Sequence, residues 1–242
     1  MKILASGCSF TGDKNSWAHR LQVLGHNVTN LGLSAAGNRY ITDITIRELL
    51  LHKNSYDYVL VMWSGLTRFD FFVDASVIDM YPSHQWRTKK ITDNFGFVTG
   101  GALPDNAHPV SVSIKKELEL VTNYELRAYQ SLLEMIKLQS FLKHNKISYK
   151  FMSYVNYWND DDFVVNNNFG VNKFKSLSLL IDNIDFSNFI FYNNNKDGIY
   201  EMCSAMTDGL GSDNFHPSTS GYNAWGDIVN NTISIGNQHE LD

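Results

Sequence analysis

The sequence predicts an α/β fold: a three-layer α/β/α sandwich around a central five-stranded parallel sheet, with an irregular insertion around residues 68–112. Three observations carry this. Short apolar runs of strand length alternate with stretches of helical periodicity. One run, Asp57 to Trp63, is almost continuously apolar, as a strand covered on both faces requires. The chain has 242 residues, enough for one sizeable core and short for two, so residues 1–242 are expected to form one domain.

The elements follow in order. Lys2-Ile3-Leu4-Ala5 reads as a first strand that runs into the loop Ser6-Gly7-Cys8-Ser9. Trp17 to Leu24 has helical spacing, and His26 to Leu31 is a second strand ending at Gly32. Residues 38–52 form an amphipathic helix with Ile41, Ile44, Ile46, Leu49 and Leu50 on one stripe. Asp57–Trp63 is the third strand. Between 68 and 112 periodicity fails, and Gly100, Gly101, Pro104 and Pro109 suggest loops or a small hairpin. A long helical pattern then covers 113–144. Ile147 to Val155 is the fourth strand, 173–184 a short helix, Phe189 to Tyr192 the fifth strand and 218–234 a closing helix.

Composition narrows the function. The chain is 43% hydrophobic and 19% charged, with a formal net charge of −5. That balance argues against nucleic acid or an anionic membrane as the main partner, because both favour a basic surface. No apolar run is long enough to span a bilayer. Two cysteines, Cys8 and Cys203, do not make a disulfide scaffold. The opening residues lack the pattern of a secretory signal, so a cytoplasmic location is expected. The asparagine runs at 166–168 and 193–195 fit an AT-rich genome, such as that of a virus or a marine microbe. A viral source would make the virion the alternative location.

In parallel α/β sheets, sites form outside the carboxyl ends of the strands. Here those are the loops at 6–12, 32–38, 63–68, 154–160 and 208–217. Ser9 follows directly on strand one, on a tight turn before helical residues whose first N–H groups lack intrahelical acceptors. That placement suits a nucleophile whose attack creates an oxyanion; the competing reading is a helix cap. Asp213-Asn214-Phe215-His216-Pro217 lies on the loop before the last helix. A serine needs a base, and His216 held by an Asp three residues earlier supplies one locally. Alone, that segment reads as a capped turn with a surface histidine. At the same end of the sheet as Ser9, it reads as the rest of a Ser-His-Asp triad.

These two segments resemble the first and last blocks of the SGNH, or GDSL-type, hydrolases. Gly7-Cys8-Ser9-Phe10-Thr11 corresponds to the Gly-Asp-Ser block, with Cys8 in place of the Asp. Asp213-x-x-His216-Pro217 corresponds to the Asp-x-x-His block. The resemblance implies a flavodoxin-like sandwich and ester hydrolysis through a Ser9 acyl-enzyme, with no cofactor and no metal. It also implies an oxyanion hole from the Ser9 amide and a glycine after strand two, Gly37, with Gly32 the alternative. The family's third block carries an Asn donor. This chain reads Trp63-Ser64-Gly65-Leu66-Thr67-Arg68 there, so Ser64 is the candidate substitute donor, and Thr67 or Arg68 could also face the pocket. Losing such a donor without replacement costs about 10²–10³ in rate.

Asn38, Arg68 and Tyr154 are candidate substrate contacts. Tyr81, Trp86, Arg87, Tyr157 and Trp158, with Tyr154, could line a sugar-binding cleft or simply cover the core. The expected substrate is a small acyl ester or an acylated carbohydrate. Two other readings stay open: an acyltransferase using the same triad, and a non-catalytic glycan-binding or structural protein on a degenerate hydrolase fold.

Overall fold

A computed structural model describes residues 1–52, 55–81, 87–99, 109, 123–159 and 170–236. Its strands are β1 (Lys2–Gly7), β2 (Asn27–Asn30), β3 (Tyr58–Trp63), β4 (Asp70–Asp74), β5 (Thr88–Lys90), β6 (Phe95–Thr99) and β7 (Tyr149–Ser153). Its α-helices are α1 (Ser9–Gly12), α2 (Trp17–Val23), α3 (Asn38–Leu51), α4 (Ala75–Asp79), α5 (Tyr124–His144), α6 (Ser178–Asp182), α7 (Ile199–Ala205) and α8 (Thr219–Gly236). The first part of the helical pattern read at 113–144, with Gly100, Gly101, Pro104, Trp86 and the 166–168 asparagines, lies outside the described residues.

Four strands form the parallel sheet, in the order β2-β1-β3-β7. Ile3 sits between Val28 and Tyr58, and Val61 between Ser6 and Phe151. Every residue of β3 is buried. A strand achieves that only when both faces of its sheet are covered. The covers are helix pairs: α2 packs on α8, and α3 on α5. Truncating an interior side chain such as Leu60, which is fully buried, is expected to cost about 2–5 kcal/mol.

The fifth parallel strand expected at Phe189–Tyr192 does not form. Phe189 makes one parallel bridge to Phe151, and the Ile190 amide donates to Phe151 O at 2.8 Å. Polar side chains then win the backbone. Asn193 Oδ1 accepts the Asn195 amide at 2.9 Å, and the Tyr192 amide turns back to Asp197 O at 2.8 Å. Side chain–backbone bonds of this kind compete directly with a ladder.

The insertion is more regular than its sequence suggests. β4, β6 and β5 form a three-stranded antiparallel sheet in that order, with Phe72 opposite Phe97. Helix α7, at Ile199–Ala205, has no counterpart in the sequence reading. Among the described residues, no helix is long and apolar enough to cross a membrane.

Candidate active site

β1 delivers Ser9. The strand ends at Gly7, Cys8 takes the N-cap position, and Ser9 opens the single turn of α1. A side chain at Gly7 would collide with the Thr11 side chain and lie 2.9 Å from Met62 O, so only glycine lets the turn close against β3.

The 208–217 loop delivers the other two residues. An antiparallel bridge joins Leu210 to Pro217, and the Gly211 amide donates to His216 O at 2.7 Å. At its tip Asn214 adopts a left-handed backbone, φ 54°. Asp213 Oδ1 accepts the amides of Phe215 (3.0 Å) and His216 (2.9 Å), while Oδ2 lies 2.6 Å from His216 Nδ1. Because a carboxylate only accepts, Nδ1 carries the proton. In the neutral ring Nε2 is then the acceptor. Nε2 lies 2.9 Å from Ser9 Oγ across 207 residues of sequence.

Electrostatics and packing fix this geometry. Burial by itself would raise the Asp213 carboxyl. The hydrogen bonds from the His216 ring and from the Phe215 and His216 amides outweigh it and hold the carboxyl below its ordinary value. The His216 ring is flanked by Phe10 and Phe215, each with its centroid 5.0 Å away. Tyr154 backs both, at 5.1 Å from Phe10 and 6.1 Å from Phe215. The His216 ring thus sits in an aromatic collar that restricts its rotation.

The chain is similar along almost its whole length to several solved structures. One is a member of the lipolytic protein G-D-S-L family from Veillonella parvula DSM 2008, 13% identical, with a TM-score of 0.48 and coverage of 97% of this chain and 98% of that one. Another is a GDSL-like lipase from Bacteroides thetaiotaomicron VPI-5482, 14% identical, with a TM-score of 0.47 and coverage of 97% and 88%. A third is a catalytic mutant of an acetylxylan esterase from Geobacillus stearothermophilus, 13% identical, with a TM-score of 0.42 and coverage of 94% and 91%. No protein-family model and no curated protein matches the chain. Likeness at this level assigns no role to any residue here.

The other residues singled out by sequence fall into two groups. The Gly37 amide, expected to face an oxyanion, is donated to Asp70 Oδ1 at 2.8 Å. The Gly32 amide is likewise donated to Asn30 Oδ1 at 2.8 Å. Asn38 is buried, and its side chain clamps the Ser64 backbone: Oδ1 accepts the Ser64 amide at 2.8 Å and Nδ2 donates to Ser64 O at 3.4 Å. Tyr154, Tyr157 and Trp158 are buried and cover the core. In the second group, Ser64 Oγ is fully buried and has no hydrogen-bond partner among the described residues. Arg68 is half-buried, lines a cavity, and lies with Cζ 5.9 Å from the Tyr154 ring centroid.

Sequence reasoning missed Asp70. Its carboxylate is buried and closes the N-terminus of α3, accepting the Tyr40 amide at 2.9 Å as well as that of Gly37. Burial raises its pKa to about 6, against the lowering effect of those two amides and of the nearby Arg68 and Arg39 charges. No local pattern links an acid on β4 to a helix whose N-cap, Gly37, lies 33 residues earlier.

Proposed function

We propose that this chain is a serine ester hydrolase of the SGNH (GDSL) type, divergent in its third block, that removes a small acyl group such as acetyl from a carbohydrate. The observation that carries the reading is the continuous hydrogen-bonded line Ser9 Oγ–His216–Asp213, at 2.9 and 2.6 Å. It joins a hydroxyl, an imidazole with Nε2 turned to that hydroxyl and Nδ1 to the acid, and a carboxyl held below its ordinary pKa.

Ser9 Oγ attacks the acyl carbonyl while His216 Nε2 takes its proton. Asp213 fixes the tautomer and stabilises the imidazolium that forms. The tetrahedral oxyanion is met by the Ser9 amide, which opens a helical turn and has no intrahelical acceptor. Ser64 Oγ, buried without a hydrogen-bond partner among the described residues, is the second donor. It replaces the absent third-block Asn, and Asn38 holds its backbone in place. Gly37 has no part in this hole, because its amide serves Asp70. His216 returns the proton to the leaving alcohol. It then activates the water that frees the acyl group from Ser9.

Incubation with p-nitrophenyl acetate and a fluorophosphonate probe tests the assignment. Ser9 is expected to be labelled, and Ser9→Ala and His216→Ala are each expected to lose at least about 10³-fold in kcat. Ser64→Ala is expected to lose about 10²-fold. Hydrolysis that persists unchanged in Ser9→Ala, with no label on Ser9, defeats the proposal. Recovery of the acyl group on an added alcohol in preference to water would redefine the enzyme as a transferase.

A further inference from the structure

Arg68 stands between two parts of the molecule. On one side is the aromatic collar of His216, which it reaches through the Tyr154 ring at 5.9 Å. On the other is a cavity of about 480 Å³ between α3, α5 and residues 68–71. We propose that Arg68 binds an anionic group of the substrate, a carboxylate or a phosphate carried on the sugar part of the ester, in this cavity beside the Ser9 site. The proposal rests on reading Ser9 as an esterase nucleophile and names the class of ester that the site takes.

The charges in the cavity are mostly spoken for. Lys137 Nζ lies 2.7 Å from Asp43 Oδ1 and 3.3 Å from Glu134 Oε2, and Arg39 Nε lies 3.7 Å from Asp43 Oδ2. Asp70 is engaged by two backbone amides. Arg68 differs. Its guanidinium makes one long hydrogen bond, from Nη1 to Ala36 O at 3.3 Å, and no carboxylate lies within ion-pairing distance among the described residues. A half-buried guanidinium with most of its fork unused is a ready partner for a planar or tetrahedral oxyanion, which it can hold through two parallel hydrogen bonds.

A second guanidinium reinforces the first. Arg87 is 4% exposed, and its backbone carbonyl accepts from Thr99 Oγ1 at 3.1 Å, the same hydroxyl that donates to Ser34 O at 2.9 Å. Ser34 and Ala36 belong to one turn, so the Arg87 backbone and the Arg68 guanidinium both lie beside it. Burial, and after it the positive charge of Arg68, push the Arg87 pKa down to about 10. The two cations therefore sense one another.

Two measurements test the proposal independently. In the first, Ser9→Ala protein is titrated calorimetrically with D-glucuronate, D-glucose 6-phosphate and D-glucose at low salt. Binding of one or both anionic sugars but not glucose is expected, and Arg68→Gln in the same background is expected to weaken it about 10–100-fold. The responding ligand tells carboxylate from phosphate. In the second, active enzyme is compared on an O-acetylated methyl glucuronoside, or the O-acetylated 6-phosphoglucoside if phosphate responds, and the matching uncharged glucoside. The ratio of kcat/KM, anionic over neutral, is expected to fall at least about tenfold in Arg68→Gln. It should fall less in Arg68→Lys, and should also fall in wild type at high salt. Equal binding of charged and uncharged sugars, or a ratio unmoved by Arg68→Gln, overturns the proposal. Arg68-dependent binding without turnover of any ester overturns the esterase reading and leaves the anion site standing.

Discussion

Asp213 Oδ1 accepts the amides of Phe215 and His216, and Asp70 accepts those of Gly37 and Tyr40, so each carboxylate closes a backbone turn with two N–H groups. Their surroundings then separate them. The Asp213 side chain is half exposed and has a third donor, the His216 ring. Its carboxyl is held low. Asp70 is buried, and two amides with two nearby arginines do not offset the loss of water, so its carboxyl rises to about 6. Two backbone donors do not hold a buried carboxyl at its ordinary pKa; at Asp213 a third donor and access to water bring it below that value. The first acid therefore suits the chemistry proposed for it, and the second closes the N-terminus of α3.

The largest effect that can break this comparison is on rate. Asp213→Asn keeps the shape but puts an amide where His216 Nδ1 donates, favouring the wrong tautomer. If Asp213 is the acid of the proposed triad, a loss of about 10⁴ in kcat is expected, as for removal of the acid in serine triads. Thermal denaturation should change little, because the site is exposed. A rate within tenfold of wild type would show that Asp213 does not set the His216 tautomer.

Asp70→Asn should do the reverse. One oxygen still accepts, but the new NH₂ meets a backbone amide head-on, leaving a buried donor unsatisfied at a cost of about 1–3 kcal/mol near pH 4. The pH dependence carries the sign. The folded pKa of Asp70, about 6, lies above its ordinary 3.8, so the folded state holds the proton more tightly. Wild-type stability relative to Asp70→Asn should therefore be greatest below the ordinary value. It should shrink as pH rises through the window from 3.8 to about 6, and be constant above it. Asp213 contributes the other way: its stabilisation is present above the ordinary carboxylate range and lost as pH falls. Melting temperatures of both proteins across pH 3–8 give the difference curve, and an advantage that grows with pH would refute the assignment.

The same contrast explains what could be read from sequence. Asp213 and His216 are three residues apart on one turn, so their pairing is a local property. Ser9 required only the rule that parallel strands gather their loops at one edge. Strands β1 and β3 were legible because burial on both faces leaves an uninterrupted apolar run. Asp70 was not legible: its partners lie across the sheet-to-helix packing, and its strand belongs to an insertion with no period of its own. The Gly37 amide was misjudged for that reason, since its acceptor could not be seen. The fifth strand failed for a different cause. Phe189-Ile190-Phe191-Tyr192 has strand composition, and the asparagines after it take the backbone away.

The smallest test concerns how the local turn reaches its geometry. Asn214 sits at φ 54° between Asp213 and Phe215, and that left-handed residue turns the next two amides onto Asp213 Oδ1. Asparagine and glycine tolerate this conformation; a β-branched residue does not. Asn214→Gly is therefore expected to hold stability within about 0.5 kcal/mol and to keep the rate near wild type. Asn214→Val should cost about 1–2 kcal/mol if the turn is kept. If the turn relaxes instead, the cost appears as rate, because Asp213 loses its two amides and His216 swings from Ser9. Measuring both kcat and the melting temperature of the valine variant separates the outcomes. A variant unchanged in both would mean that the left-handed turn contributes nothing to the site. No matching experiment exists at Asp70, whose partners are set by the packing of β4 against α3 and not by the conformation of any one residue.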